Sequence, residues 1–95
     1  MKQVKRLMSL KNGSLWEHDG EYYAIDTAHV WDVMSFAGGC HEAMVWKADA
    51  EGNILTWAEL YSEHSLGFPD EPDVYDQQAV MNRFAETLKG EANES

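Results

Sequence analysis

Four histidines, His18, His29, His41 and His64, and one cysteine, Cys40, are the side chains of this chain that could hold a soft metal ion. A tetrahedral zinc site needs three or four such ligands to converge. Cys40, His41 and His64 could supply three if the intervening hairpin closes that way. Adjacent residues of an extended chain point to opposite faces, however, and the sequence has no Cys-x-x-Cys or His-x-x-x-His pair. The expectation is no metal and no cofactor. A single cysteine excludes an internal disulfide, and with no base beside it in sequence Cys40 reads as a small, part-buried residue.

Carboxylates are the second source of chemistry. Glu42 and Glu59 fall on segments expected to be neighbouring strands, and paired carboxylates divide acid and base roles when one is desolvated. Their plainer role is at the rim of a sheet, paired with Lys47 or with backbone donors. The dinucleotide, phosphate-loop, nucleophile-elbow and zinc-protease motifs are all missing, so the sequence points away from an enzyme.

Glu59, Glu63, Asp70, Glu71, Asp73 and Asp76 gather on one loop and its flanks. Projecting from a sheet, they would imitate the charge spacing of a nucleic-acid backbone and fit a basic groove. The alternative is a solvated loop that also supports the positive end of the next helix. Of the tryptophans, Trp16, Trp31, Trp46 and Trp57, most should pack a core, while an exposed one would anchor an interface. Trp16 joins the six acids as the candidate protein-binding set.

Charge narrows the partner. The chain has 95 residues and a net charge of −10. Lys2, Lys5, Arg6 and Lys11 place four of the seven cations in the first eleven residues, and all seventeen acids follow them. An anionic body repels phosphate backbones, which argues against direct nucleic-acid binding and suits a partner protein with a basic surface. Solubility alone is the competing explanation. Neither a signal-peptide core nor a run of ~18 apolar residues occurs, so no membrane association and a cytoplasmic location are expected.

With 44% hydrophobic residues, 12% of all residues being aromatic, one core is affordable in area without staples. Val4 to Leu10 reads as an edge strand guarded by Lys5 and Arg6. Asn12-Gly13 and Asp19-Gly20 mark turns around Ser14 to His18, and Glu21 to Asp26 follows with Tyr22 and Tyr23 on opposite faces. Thr27 is expected at a bend before a separate strand, His29 to Met34, and Ser35 to His41 reads as a loop around Gly38-Gly39. Glu42 to Lys47 alternates Ala43 and Val45 against Met44 and Trp46, as a central strand does. A turn at Asp49 to Asn53 leads to a strand over Ile54 to Ser62. Pro69 and Pro72 keep Ser65 to Asp73 a loop. Asp76 then caps a helix whose apolar face is Val80, Met81, Phe84 and Leu88, with Gly90 as its stop.

Val30-Trp31-x-Val33, Glu42-Ala43-Met44-Val45-Trp46, Asp49-x-x-Gly52-Asn53 and Trp57-x-Glu59-Leu60, with Tyr75, Asp76 and Ala79 at the helix start, resemble a pattern in small uncharacterised proteins of actinobacteria and their phages. The likeness covers about half the chain. This chain departs from it by inserting the acidic, proline-containing loop around Leu66 to Asp73, and by lacking the usual helix histidine. The resemblance implies a β-meander closed by a helix and a phage or mobile-element origin, and it implies no activity.

The expected protein is a single α+β domain over 1–90, with 91–95 as a frayed tail. Its sheet is an antiparallel meander of five or six strands with one C-terminal helix packed on a face. The expected function is that of a phage-type accessory protein binding a host macromolecule, in the manner of an inhibitor of a CRISPR or restriction system. A self-assembling module, with the basic first strand of one copy against the acidic face of another, is the alternative.

Overall fold

The computed structural model describes residues 4–11, 13–30, 40–66, 68–71 and 73–94, with the side chains of 29, 30, 40 and 90–94 left aside. Five strands and one helix follow in chain order: β1 (Lys5–Leu10), β2 (Gly13–His18), β3 (Glu21–Val30), β4 (Cys40–Ala48), β5 (Tyr61–Ser65) and α1 (Gln77–Glu94). The strands form one antiparallel sheet in the order β1-β2-β3-β4-β5, and the helix covers one face, the expected α+β meander.

Local chemistry explains the hairpins. Asp19 and Gly20 both have positive φ, 52° and 81°, which a two-residue turn matched to strand twist requires. Gly13 opens β2 opposite Leu10 instead of only marking a turn. A Cβ at Gly13 would lie 1.8 Å from the Ile25 carbonyl oxygen, so the close approach of β2 and β3 admits no side chain there.

The expected bend at Thr27 does not occur. Thr27 pairs with Ala43 in an unbroken ladder, and β3 runs from Glu21 through Val30 as one strand. β-Branched Ile25, Thr27 and Val30 favour extended backbone, and nine pairings with β4 outweigh any local turn tendency. Trp31 to Met34 and Gly38-Gly39 lie outside the described residues. His41, expected in the loop, is already in β4.

Alternation then sorts the side chains. Trp16, Tyr23, Ile25, Ala43 and Val45 point under the helix, where they meet Val80, Met81, Phe84 and Ala85. Tyr23 and Phe84 pack edge to face at 4.9 Å between ring centres. On the opposite face Leu15, Ala24 and Ala48 form a smaller cluster with Leu10, Tyr22 and Ile54.

Asp76 caps α1 as expected: its Oδ1 accepts the Ala79 amide at 3.2 Å. Gly90, expected to end it, lies inside the helix, which reaches Glu94. Glycine within a helix costs only about 1 kcal/mol and stops it only where the backbone turns left-handed. Polar contacts tie α1 across the sheet. Gln78 donates to the Val4 carbonyl near β1, Gln77 meets Ser14 of β2, and Arg83 reaches Glu63 of β5.

Candidate functional site

The strand expected over Ile54 to Ser62 is interrupted. Ile54 bridges Ala48, and Leu55 donates its amide to the Lys47 carbonyl at 2.9 Å. Leu60 then donates to the Val45 carbonyl at 2.8 Å, and β5 begins. Thr56 to Glu59 therefore leave the ladder as a blister on the sheet edge, although Ile54 and Leu55 stay paired. Trp57 is 75% exposed in this blister, and its ring meets Trp46 edge to face at 5.7 Å. The two indoles wall a groove of about 270 Å³ on the helix-free face, whose floor is Ala24 and Ile54, with Asp26 and Lys11 at its sides. Burial first, then the nearby Glu42 charge, raise the Asp26 pKa above its ordinary value, against a Thr27 amide that lowers it.

The seven expected binding residues do not form one surface. Trp16 is 2% exposed, and its indole N–H donates to Ser14 Oγ at 2.6 Å, so it is a core residue and not an anchor. Glu63 faces inward and receives both Arg83 Nε and Nη2 at 2.7 Å, with the Tyr61 hydroxyl at 2.6 Å. Burial alone would push the Glu63 carboxyl up; hydrogen bonds from Arg83 and Tyr61 with the Arg83 charge outweigh it and hold the pKa below its usual value. Burial and then the Glu63 hydrogen bond push Tyr61 up to about 12. Glu63 is thus spent on tying β5 to α1.

The other five acids are exposed or partly exposed on the outer rim. Asp76 caps α1, and Asp73 Oδ1 accepts the Tyr75 amide at 2.9 Å. Glu71 Oε1 accepts the amides of Leu66 and Phe68 at 3.0 and 3.1 Å. Glu59 and Asp70 are exposed, and among the described residues neither has an ion-pair partner. Asp49 holds the preceding turn, where the Asn53 amide, the Asn53 side chain and the Glu51 amide hydrogen-bond its carboxylate and lower its pKa despite some desolvation.

Other candidates separate. Glu42 does not meet Glu59; it contacts His64 Nε2 at 2.6 Å across β4 and β5. His41 pairs with Ser65 in register while His64 pairs with Glu42, so the two imidazoles leave opposite faces. No cluster of three histidine, cysteine or carboxylate groups suited to a metal occurs among the described residues. Lys47 bonds Glu21 at 3.0 Å and sits over the Tyr23 ring, so it does not serve Glu42 or Glu59.

Charge is divided across the sheet. Lys5, Arg6 and Lys11 are exposed at or just after β1, one edge strand, whereas Glu59, Asp70, Glu71 and Asp73 flank β5, the other; the Gly52 turn lies against Leu10, so Lys11 borders the Trp57 groove. Lys5 faces Glu17 in register, yet among the described residues no ion pair joins Lys5, Arg6 or Lys11 to an acid. Trp57, the exposed tryptophan among the described residues, was legible only as one of four in the sequence; the blister that exposes it comes from edge pairing that no local pattern encodes. No family model, no curated protein and no solved structure matches the chain. No helix among the described residues is long and apolar enough to cross a membrane.

Proposed function

We propose that this chain is a small acidic binding protein that occupies a basic surface on a host macromolecule and blocks it sterically and electrostatically. The observation that carries the reading is the group of exposed or partly exposed carboxylates beside β5, Glu59, Asp70, Glu71 and Asp73, none of them in an ion pair among the described residues, with Trp57 exposed two positions before Glu59. Carboxylates steer and orient such an encounter, and a solvent-exposed indole beside a second indole supplies an apolar anchor. The resemblance to phage-type proteins favours a nucleic-acid-handling defence complex, such as a CRISPR effector or a restriction enzyme, as the target. Such complexes hold grooves of the required sign.

Affinity capture from host lysate followed by titration of the captured partner tests this. Binding should weaken at least about tenfold from low to high ionic strength, and Trp57→Ala with Asp70→Lys should abolish it. An affinity flat in salt would count against the reading.

Among the described residues no strand pairs with the outer side of β1, which favours a second reading, in which one copy's basic first strand meets another's acidic face. Light scattering separates them: a mass that grows with concentration at low salt and reverts at high salt indicates assembly, and a constant monomer indicates a foreign partner.

A further inference from the structure

A half-open cavity of about 400 Å³ lies where the segment after β5 turns back toward α1. Its lining is of two kinds. His41, Phe68 and Tyr75 bring three rings, and Glu71 and Asp73 bring two carboxylates. His41 Nδ1 lies 3.0 Å from the Tyr75 hydroxyl, with the rings edge to face at 5.2 Å, which fixes one wall. Phe68 is 60% and Tyr75 47% exposed, so both rings face water instead of packing inward.

The carboxylates are positioned by backbone amides and not by cations. Each uses one oxygen for loop N–H groups, and among the described residues neither forms an ion pair. Aromatic faces attract cations, and a negative pair beside them adds to that attraction. An anion would be repelled, and a neutral apolar ligand would desolvate the carboxylates without compensation. The volume falls in the range of small-molecule sites.

We propose that this cavity receives a cationic side chain, the alkylammonium of lysine or the guanidinium of arginine, presented by the basic partner. The inference rests on the proposed docking reading for the source of the side chain and on the cavity alone for its chemistry. The apolar stem lies against Phe68 and Tyr75 while the charged head meets Glu71 and Asp73.

The test titrates the isotope-labelled full chain with the N-acetyl amides of lysine, arginine and, as an uncharged control, norleucine, following resonances by NMR. The two cations should give saturable shifts at His41, Phe68 and Tyr75, and norleucine should not. Phe68→Ala should weaken binding about two- to fivefold. Glu71→Gln and Asp73→Asn keep a carbonyl oxygen for the loop amides while removing the charge, and should weaken it further with the rest of the spectrum unchanged. No saturation with either cation, equal shifts with norleucine, or unaltered affinity in all three variants overturns the proposal. Captured partner without cation binding would leave docking standing and remove the cavity; cation binding without a partner would do the reverse.

Discussion

Ser14 is fully buried yet polar, and its hydroxyl serves two masters: it accepts the Trp16 indole N–H and donates to the Gln77 carbonyl oxygen of α1. Ser14→Ala leaves both without their partner, and unfolding titration should show a loss of about 1–3 kcal/mol. Glu63 carries a pH signature. Its folded pKa is depressed, so its contribution is complete above the unfolded carboxylate value, about 4.3, and is lost as pH falls through the lower folded value. Glu63→Gln should therefore melt lower than the parent at neutral pH, with the gap closing on acidification. Asp26 has the opposite sign: a raised folded pKa means that its charge opposes folding above that value. Asp26→Asn should raise the melting temperature modestly at neutral pH and leave it unchanged in acid.

At the scale of elements, β2 and β3 meet so closely at Gly13 that the smallest side chain collides with backbone. A backbone oxygen cannot rotate aside, so Gly13→Ala should cost about 3 kcal/mol or more, read by denaturant unfolding. The blister has the contrary property. Trp57 leaves the ladder and is 75% exposed, so Trp57→Ala should change stability by no more than about 1 kcal/mol, the worth of its ring pair with Trp46, whereas Phe84→Ala, in the core under α1, should cost about 3–5 kcal/mol. A surface residue whose loss spares the fold and removes binding is the mark of an interface.

For the molecule as a whole, the meander keeps the two ends of its own charge pattern apart. Chain order places the cation-bearing strand first, and a simple up-and-down sheet leaves first and last strands at opposite edges. The acidic edge is then free to act on something else. That arrangement predicts a salt-sensitive association at the β5 edge, with Lys5 and Arg6 contributing nothing to it; neutralising both by glutamine should leave partner affinity unchanged or improved in a binding titration.

Periodicity and turn chemistry alone determined the first two hairpin strands, the central strand and the C-terminal helix, though not that β3 runs on through Thr27 or that β5 begins only at Tyr61. Tyr22 and Tyr23 went to opposite faces because strand side chains alternate, and Asp76 capped a helix because its carboxylate reaches the amide of the first turn. The acidity was legible too, since it is a count. Tertiary structure decided which acids are available: Glu63 was drawn inward by Arg83, twenty positions on, and Trp16 was covered by the helix. It also decided that Trp57 stands outside, because edge pairing with Val45 and Lys47 skips the four residues between. Each of these turns on a partner distant in sequence, and burial and charge pairing are properties of who meets whom across the sheet, which no local spacing contains.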